Sequence, residues 1–249
     1  MKKTMHALMM CFSIFCAIPC PWKVWDEDAR PLMTLFLPLV GLLIGLLWAL
    51  AAYASAWLEL PALVRGAILC ACPFLLTGSM HMDGFLDVTD AVKSWRDPGE
   101  RRRILKDPNV GSFAVIAGIL LVMAQFALFA SAKETAPPLA LVFIAVVSRT
   151  MAGICVTVLR PLSTSEYAGT YQKGIKHAHV VILAAILVCA TALGFVLLGL
   201  YGFTAPAVMF GYLFYLRRGF RSLDGMSGDI SGYALTFGEL CGVAVYALL

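Results

Sequence analysis

"MKKTMHALMMCFSIFCAIPCPWKVW", residues 1–25, decides how the rest of the chain threads through a bilayer. Two lysines, an apolar stretch and Pro19 imitate a secretory signal. The remainder sets the stakes. The 249 residues are 61% hydrophobic and 14% charged, with a mean hydropathy of +0.85. Soluble domains run at roughly 45–50% apolar and about 25% charged, so this is the composition of a polytopic membrane protein. A bilayer core needs about 20 helical residues. Apolar runs of that order predict about seven transmembrane helices, near 32–57, 62–80, 110–132, 136–159, 178–200, 203–216 and 230–249. The sixth run is short, and Gly232 and Gly238 interrupt the seventh.

If residues 5–18 lie on the membrane surface without crossing, sixteen of the nineteen Lys and Arg fall on one side. They sit in the N-terminal segment and in the polar stretches 81–109, 160–177 and 217–229. Arg65 and Lys133 lie toward the other side, and Arg149 falls inside a run. If residues 5–18 crossed, every later loop would invert and the bias would run backwards. The positive-inside rule therefore predicts an interfacial N-terminal helix, a cytoplasmic N-terminus and functional loops on the cytoplasmic face. The net charge of +4 is accounted for by those loops and calls for no nucleic-acid partner. Eight scattered cysteines, with no CxxC pair, read as small buried hydrophobes. The expected architecture is all-α, one integral membrane domain over 1–249, with the seven spans, the interfacial helix and a cytoplasmic amphipathic helix.

The chemistry concentrates in "HMDGFLDVTDAV", residues 81–92, where Asp83, Asp87 and Asp90 are spaced i, i+4, i+7 and share one helical face. A second group follows in "LDGMSGDISGYALTFGEL", with Asp224, Gly228, Asp229 and Glu239. Glu239 lies about 15 Å along a helix from Asp229. Insertion scales put an intramembrane acid there at about 2.5–3.5 kcal/mol, so it needs a partner, and Arg149 is the candidate. Each Asp alone reads equally as a helix cap or a solvated charge. Two acidic groups together favour a divalent cation, and hard oxygen ligands suit Mg2+ or Mn2+ shared with substrate phosphates. Arg101, Arg102, Arg103 and Lys106 read either as phosphate-holding groups or as ordinary topogenic charge. His81 reads as a packing residue or as a proton acceptor.

"GSMHMDGFLDVTDAV" resembles the Gly-x-x-His-x-Asp-Gly-x-x-Asp-x-x-Asp stretch of the cobalamin (5'-phosphate) synthase family, the adenosylcobinamide-GDP ribazoletransferases. "LPLVGLLIG", "ILKDPNVGSFAV" and "SGDISGYALTFGEL" are similar to further family segments and occur in the family's order. Asp224 stands where Gly is usual, Ser227 replaces Thr, Thr236 stands where Glu or Gln is common, and "RPLSTSEYAG" departs from the usual Pro-x-Ala-Arg-x-x-Gly. The resemblance implies a Mg2+-dependent transferase in the inner membrane, with its active site facing the cytoplasm. It implies adenosylcobinamide-GDP and alpha-ribazole, or its 5'-phosphate, as substrates, with GMP released. It leaves a homo-oligomer open. On this reading Asp83, Asp87, Asp90 and Asp229 hold the metal, and His81 or one of the α-helical aspartates takes a proton. Lys106, Asp107, Arg103, Arg149, Asp224, Gly228 and Glu239 then lie on the substrate side. Two rivals stand beside it. A CDP-alcohol phosphotransferase would carry Asp-x-x-Asp-Gly-x-x-Ala-Arg, and no Ala-Arg pair follows Gly84 here. A divalent-cation transporter would spread its acids toward the midplane or both faces.

Overall fold

Proline and glycine punctuate the apolar runs into ten α-helices among residues 2–163 and 177–249, the residues that the computed structural model describes. They are α1 (Lys2–Phe15), α2 (Leu37–Trp57), α3 (Ala62–Leu76), α4 (Met80–Lys93), α5 (Pro98–Ile104), α6 (Ser112–Ser131), α7 (Leu139–Val158), α8 (His177–Leu198), α9 (Thr204–Leu223) and α10 (Gly228–Leu248). A 3-10 turn, Arg30–Phe36, leads into α2, and another, Gly199–Phe203, separates α8 from α9. Pro38 sits in the first turn of α2, Pro61 precedes α3, and Pro98 opens α5 behind the Asp97 cap, all positions where a missing N–H costs nothing. The polar stretch 160–179 is described only in part; Lys173 and Lys176 lie outside the described residues.

The all-α membrane architecture holds, with a different count of spans. Among the described residues, five helical stretches are long and apolar enough to cross a membrane, or six if α3 and α4 form one broken pass. Two features separate this from seven. Helix α3 stops after 15 residues, where Gly78 and Ser79 adopt positive φ angles, and α4 leaves it at 90°. Residues 177–223 pass the same test as one stretch of 47 residues, although the 3-10 turn divides them into the two helices α8 and α9. Within it the chain turns back at Gly199–Phe203, so that Phe195 stacks edge-on against Phe203 with ring centroids 5.0 Å apart.

Helix α7 is the central post, buried along most of its length, with α2, α8, α9 and α10 around it. Gly41 and Gly45 let α2 approach it at backbone distance: a Cβ at Gly45 would lie 2.6 Å from Val142 Cα, the close packing that small residues allow in membranes. Trp48 donates its indole N–H to the Leu69 carbonyl at 2.8 Å and ties α2 to α3. Helices α3 and α4 together follow α6 from end to end. Gly66 lies against Ala130 and Met82 against Gly118. Gln125 donates to the Cys70 carbonyl at 3.4 Å. The amphipathic α4 is thus no free surface helix. It is wedged between α6 and α10.

Helix α1 spans about 21 Å at 1.5 Å per residue, short of a ~30 Å hydrocarbon core. Lys3 Nζ pairs with Asp28 at 2.9 Å, and the Ala17 N–H bonds the Leu76 carbonyl at 2.8 Å. His6 Nδ1 lies 2.8 Å from Asp26 Oδ2, and this hydrogen bond holds the Asp26 carboxyl below the usual carboxylate range. The start of α1 is therefore stitched to the segment 26–28 that leads into the 3-10 turn, and the chain just past its end to the last residue of α3.

The glycine contact sets a test. Gly45→Leu forces extra volume against the α7 backbone, an overpacking of about 1–3 kcal/mol. Thermal unfolding in detergent micelles should shift down by several degrees, and an unchanged melting temperature would contradict the α2–α7 contact.

Candidate active site

The site is built where α4 crosses the start of α10. Gly84 has no side chain, and a Cβ there would sit 2.8 Å from the Asp229 backbone. About one turn further along α10, a Cβ at Gly232 would lie 3.2 Å from the His81 backbone. Thr236 adds a hydrogen bond, Oγ1 donating to the His81 carbonyl at 3.4 Å. Two glycines, one on each helix, thus press the two acidic segments together. Asp87 lies within electrostatic reach of Asp83, Asp90 and Asp229, and Asp229 within reach of Asp83. The two groups far apart in the sequence therefore meet.

Ser227 caps α10, its Oγ accepting the Ile230 N–H at 3.2 Å, and it also contacts Asp229 Oδ2 at 3.4 Å. The Ser-for-Thr departure keeps the hydroxyl that both contacts use. Asp229 lies in the first turn of α10, where the helix dipole favours an anion. Asp90 reaches the start of α6: a Cβ at Gly111 would fall 2.0–2.4 Å from its carboxyl atoms. No Lys or Arg forms an ion pair with Asp83, Asp87, Asp90 or Asp229 among the described residues.

Beside the carboxylates lies a cavity of about 390 Å³. Phe15, Trp25, Met33 and Leu37 form an apolar wall, Ala152 lines α7's side, and His81, Asp83, Arg149 and Asp229 supply the polar one. His81 Nδ1 and Arg149 Nε are buried there without a hydrogen-bond partner among the described residues. Arg149 pairs with Glu239, and Ser148 Oγ bridges them, donating to Glu239 at 2.9 Å and accepting from Arg149 at 2.9 Å. The intramembrane acid has thus found the partner its position on α10 called for.

The basic residues divide. Arg101 and Arg102 donate to the carbonyls of Ser222 and Leu223 at 3.5 and 3.3 Å, satisfying the C-terminal end of α9. Arg103 is exposed and forked onto Glu100, while Lys106 and Asp107 are exposed. Asp107 accepts from Asn109 at 2.9 and 2.8 Å. None of Arg103, Lys106 and Asp107 lines the cavity. Gly228 does line it. Asp224 stands apart, paired with Arg160 where the 160–162 strand-like segment bridges to Met226. Its φ of 64° and ψ of 48° are left-handed. Glycine adopts that conformation freely, and Asp tolerates it. The cavity's far wall from α1 and Trp25, and Gly111's service to Asp90, had no signal in spacing; both arise from tertiary packing.

No three His, Cys, Asp or Glu side chains form a ready-made cation site among the described residues. The donor set nonetheless fits Mg2+: hard carboxylate oxygens, few in number, with the remaining positions left to water and phosphate.

The sequence of this chain matches the family model described as cobalamin-5-phosphate synthase over residues 7–247. Curated relatives named adenosylcobinamide-GDP ribazoletransferase include one from Clostridium botulinum (strain Alaska E43 / Type E3), 33% identical over 98% of this chain and 97% of its own length. Another, from Clostridium perfringens (strain SM101 / Type A), is 34% identical over 100% of both chains. The Lachnoclostridium phytofermentans relative is 29% identical over 98% of this chain and 94% of its own. No solved structure matches.

The buried pair gives a test. Glu239→Leu leaves Arg149 as an uncompensated buried charge, a loss of about 3–5 kcal/mol. The double variant Arg149→Met/Glu239→Leu should recover most of it in chemical or thermal unfolding. A single variant as stable as the wild type would contradict the pairing.

Proposed function

The chain belongs to the cobalamin-5-phosphate synthase family, and from that premise we propose that it transfers the cobinamide-phosphate moiety of adenosylcobinamide-GDP to alpha-ribazole or its 5'-phosphate, releasing GMP. The observation that supports this most is the meeting of Asp83 and Asp87 with Asp229, where Asp83 and Asp229 line the cavity. In the reaction a ribose hydroxyl attacks the phosphorus that carries the cobinamide arm. An oxygen–phosphorus bond forms, the anhydride bond to GMP breaks, and the hydroxyl proton leaves.

Such in-line transfer asks the protein for positioning and charge control. Asp83, Asp87, Asp90 and Asp229 would hold Mg2+, whose chemistry there is neutralisation of the diphosphate and of the departing GMP. One of these carboxylates, or His81 with its unpartnered Nδ1, takes the hydroxyl proton. Arg149, fixed by Glu239 and Ser148, keeps a positive charge at the cavity wall. Arg101 and Arg102 hold α5 against α9, so their part is to position the basic loop. The exposed Arg103 and Lys106 remain available for outer phosphate oxygens.

We place the site at the cytoplasmic face of the inner membrane, because the positive-inside count puts the basic loops there and those loops adjoin the carboxylates. The transporter reading has little support: beyond this cluster the intramembrane acid Glu239 is already paired with Arg149, and Glu59 and Glu134 lie outside the helices.

GMP release from adenosylcobinamide-GDP and alpha-ribazole by the purified protein in liposomes tests the proposal. Release should require Mg2+ and stop on chelation. Asp87→Asn should lower kcat/KM by more than about a hundredfold, beyond the ~10–100-fold of outer-shell changes, with unfolding unaltered. Full turnover without divalent metal, or in Asp87→Asn, would overturn the metal role.

A further inference from the structure

The cavity beside the carboxylates has the size and lining of a pocket for one substrate and not the other. Its volume of about 390 Å³ lies at the small end of ligand pockets, which span roughly 300–1,000 Å³. A corrin ring bearing its amide arms, an adenosyl group and a guanosine diphosphate is far larger. The cavity therefore holds at most one fragment of that donor, or the whole of a nucleoside-sized acceptor.

The lining separates a guanosine fragment from a benzimidazole nucleoside. Guanine presents several donors and acceptors along its edge, and a pocket that holds it must answer them, because buried polar groups left unpaired are costly. Phe15, Met33, Leu37 and Ala152 offer no such answers, and Trp25 already donates its indole N–H to Glu27 at 2.8 Å. A benzimidazole is a flat apolar plate with one free ring nitrogen, and that nitrogen is an acceptor. His81 and Arg149 line the polar wall; each has a buried nitrogen without a hydrogen-bond partner among the described residues, and the guanidinium is an obligate N–H donor. The polar end also carries Asp83 and Asp229, so a nucleoside with its base against the apolar wall sets its ribose toward the carboxylates.

Resting on the function proposed above, we infer that this cavity is the acceptor site: the benzimidazole of ribazole enters between α1, the 3-10 turn and α7, and the corrinoid stays outside, over the carboxylates. Helix α1, stitched on by Lys3–Asp28 and Ala17–Leu76, then forms one wall of a base-selective pocket.

Ala152→Phe fills the pocket from the α7 side. In steady-state GMP release, it should raise the KM for alpha-ribazole about tenfold or more, the range in which pockets respond to added or missing methylenes. The KM for adenosylcobinamide-GDP should stay within about twofold, a difference under ~0.5 kcal/mol. Met33→Ala, which widens the pocket, should improve turnover of a ribazole bearing a bulkier aromatic base relative to the natural one. A second readout does not need turnover: alpha-ribazole alone should quench tryptophan fluorescence of the wild type, and the quench should shrink in Trp25→Phe. A rise confined to the KM for adenosylcobinamide-GDP would assign the cavity to guanosine and overturn the inference. So would unchanged base preference in both cavity variants together with an unaltered quench in Trp25→Phe. A wild type that releases no GMP with either substrate pair would instead sink the proposed function.

Discussion

Everything in this protein depends on the close crossing of α4 and α10. Gly84 lets α4 sit on the Asp229 backbone, and Gly232 lets α10 sit on the His81 backbone. Without those two contacts the acidic segments, nearly 150 residues apart, have no reason to share a space. Aromatic packing reinforces the crossing on its far side, where Phe85 stacks on Tyr233 at 6.0 Å and tilts against Phe237 at 5.2 Å. The helices gain van der Waals contact and dispersion there, which offsets the repulsion of gathered carboxylates. The arrangement is a working compromise: packing forces together charges that electrostatics alone would separate, and a divalent cation is the natural relief.

The second constraint is the buried Arg149–Glu239 pair with Ser148 between them. Buried ion pairs are weak evidence for stability, since desolvation opposes their attraction. Their value here is positional. Helix α7 is the central post and α10 carries Asp229; locking one to the other through charged groups fixes the depth at which Asp229 meets α4. It also leaves Arg149 in the cavity wall, its buried Nε without a hydrogen-bond partner among the described residues.

Much of this was legible in the sequence, for identifiable reasons. The i, i+4, i+7 aspartates and the Arg149–Glu239 partnership follow from helical periodicity and the cost of an intramembrane acid, which are local and one-dimensional. The family resemblance rested on motif order, and the match over residues 7–247 bears it out. The count of spans was not legible. Composition registers apolar length, and it did separate the runs on either side of 200–203, but the 90° break at Gly78–Ser79 is set by backbone conformation. The basic run was equally opaque. Nothing in "RRR" distinguishes Arg101 and Arg102, which satisfy carbonyls at the end of α9, from the exposed Arg103. The cavity depends on α1 folding back onto the 3-10 turn and α2, a contact that no periodicity carries.

The most direct test of the central claim is to see where a cation binds. Crystals or membrane crystals grown with Mn2+ and adenosylcobinamide-GDP, measured at the manganese absorption edge, report the ion's position without reference to activity. An anomalous peak is expected between α4 and the first turn of α10, with oxygen atoms of Asp229 and of at least one α4 aspartate at coordination distance. A peak confined to another part of the molecule, with Asp229 turned away from the α4 carboxylates, would contradict it.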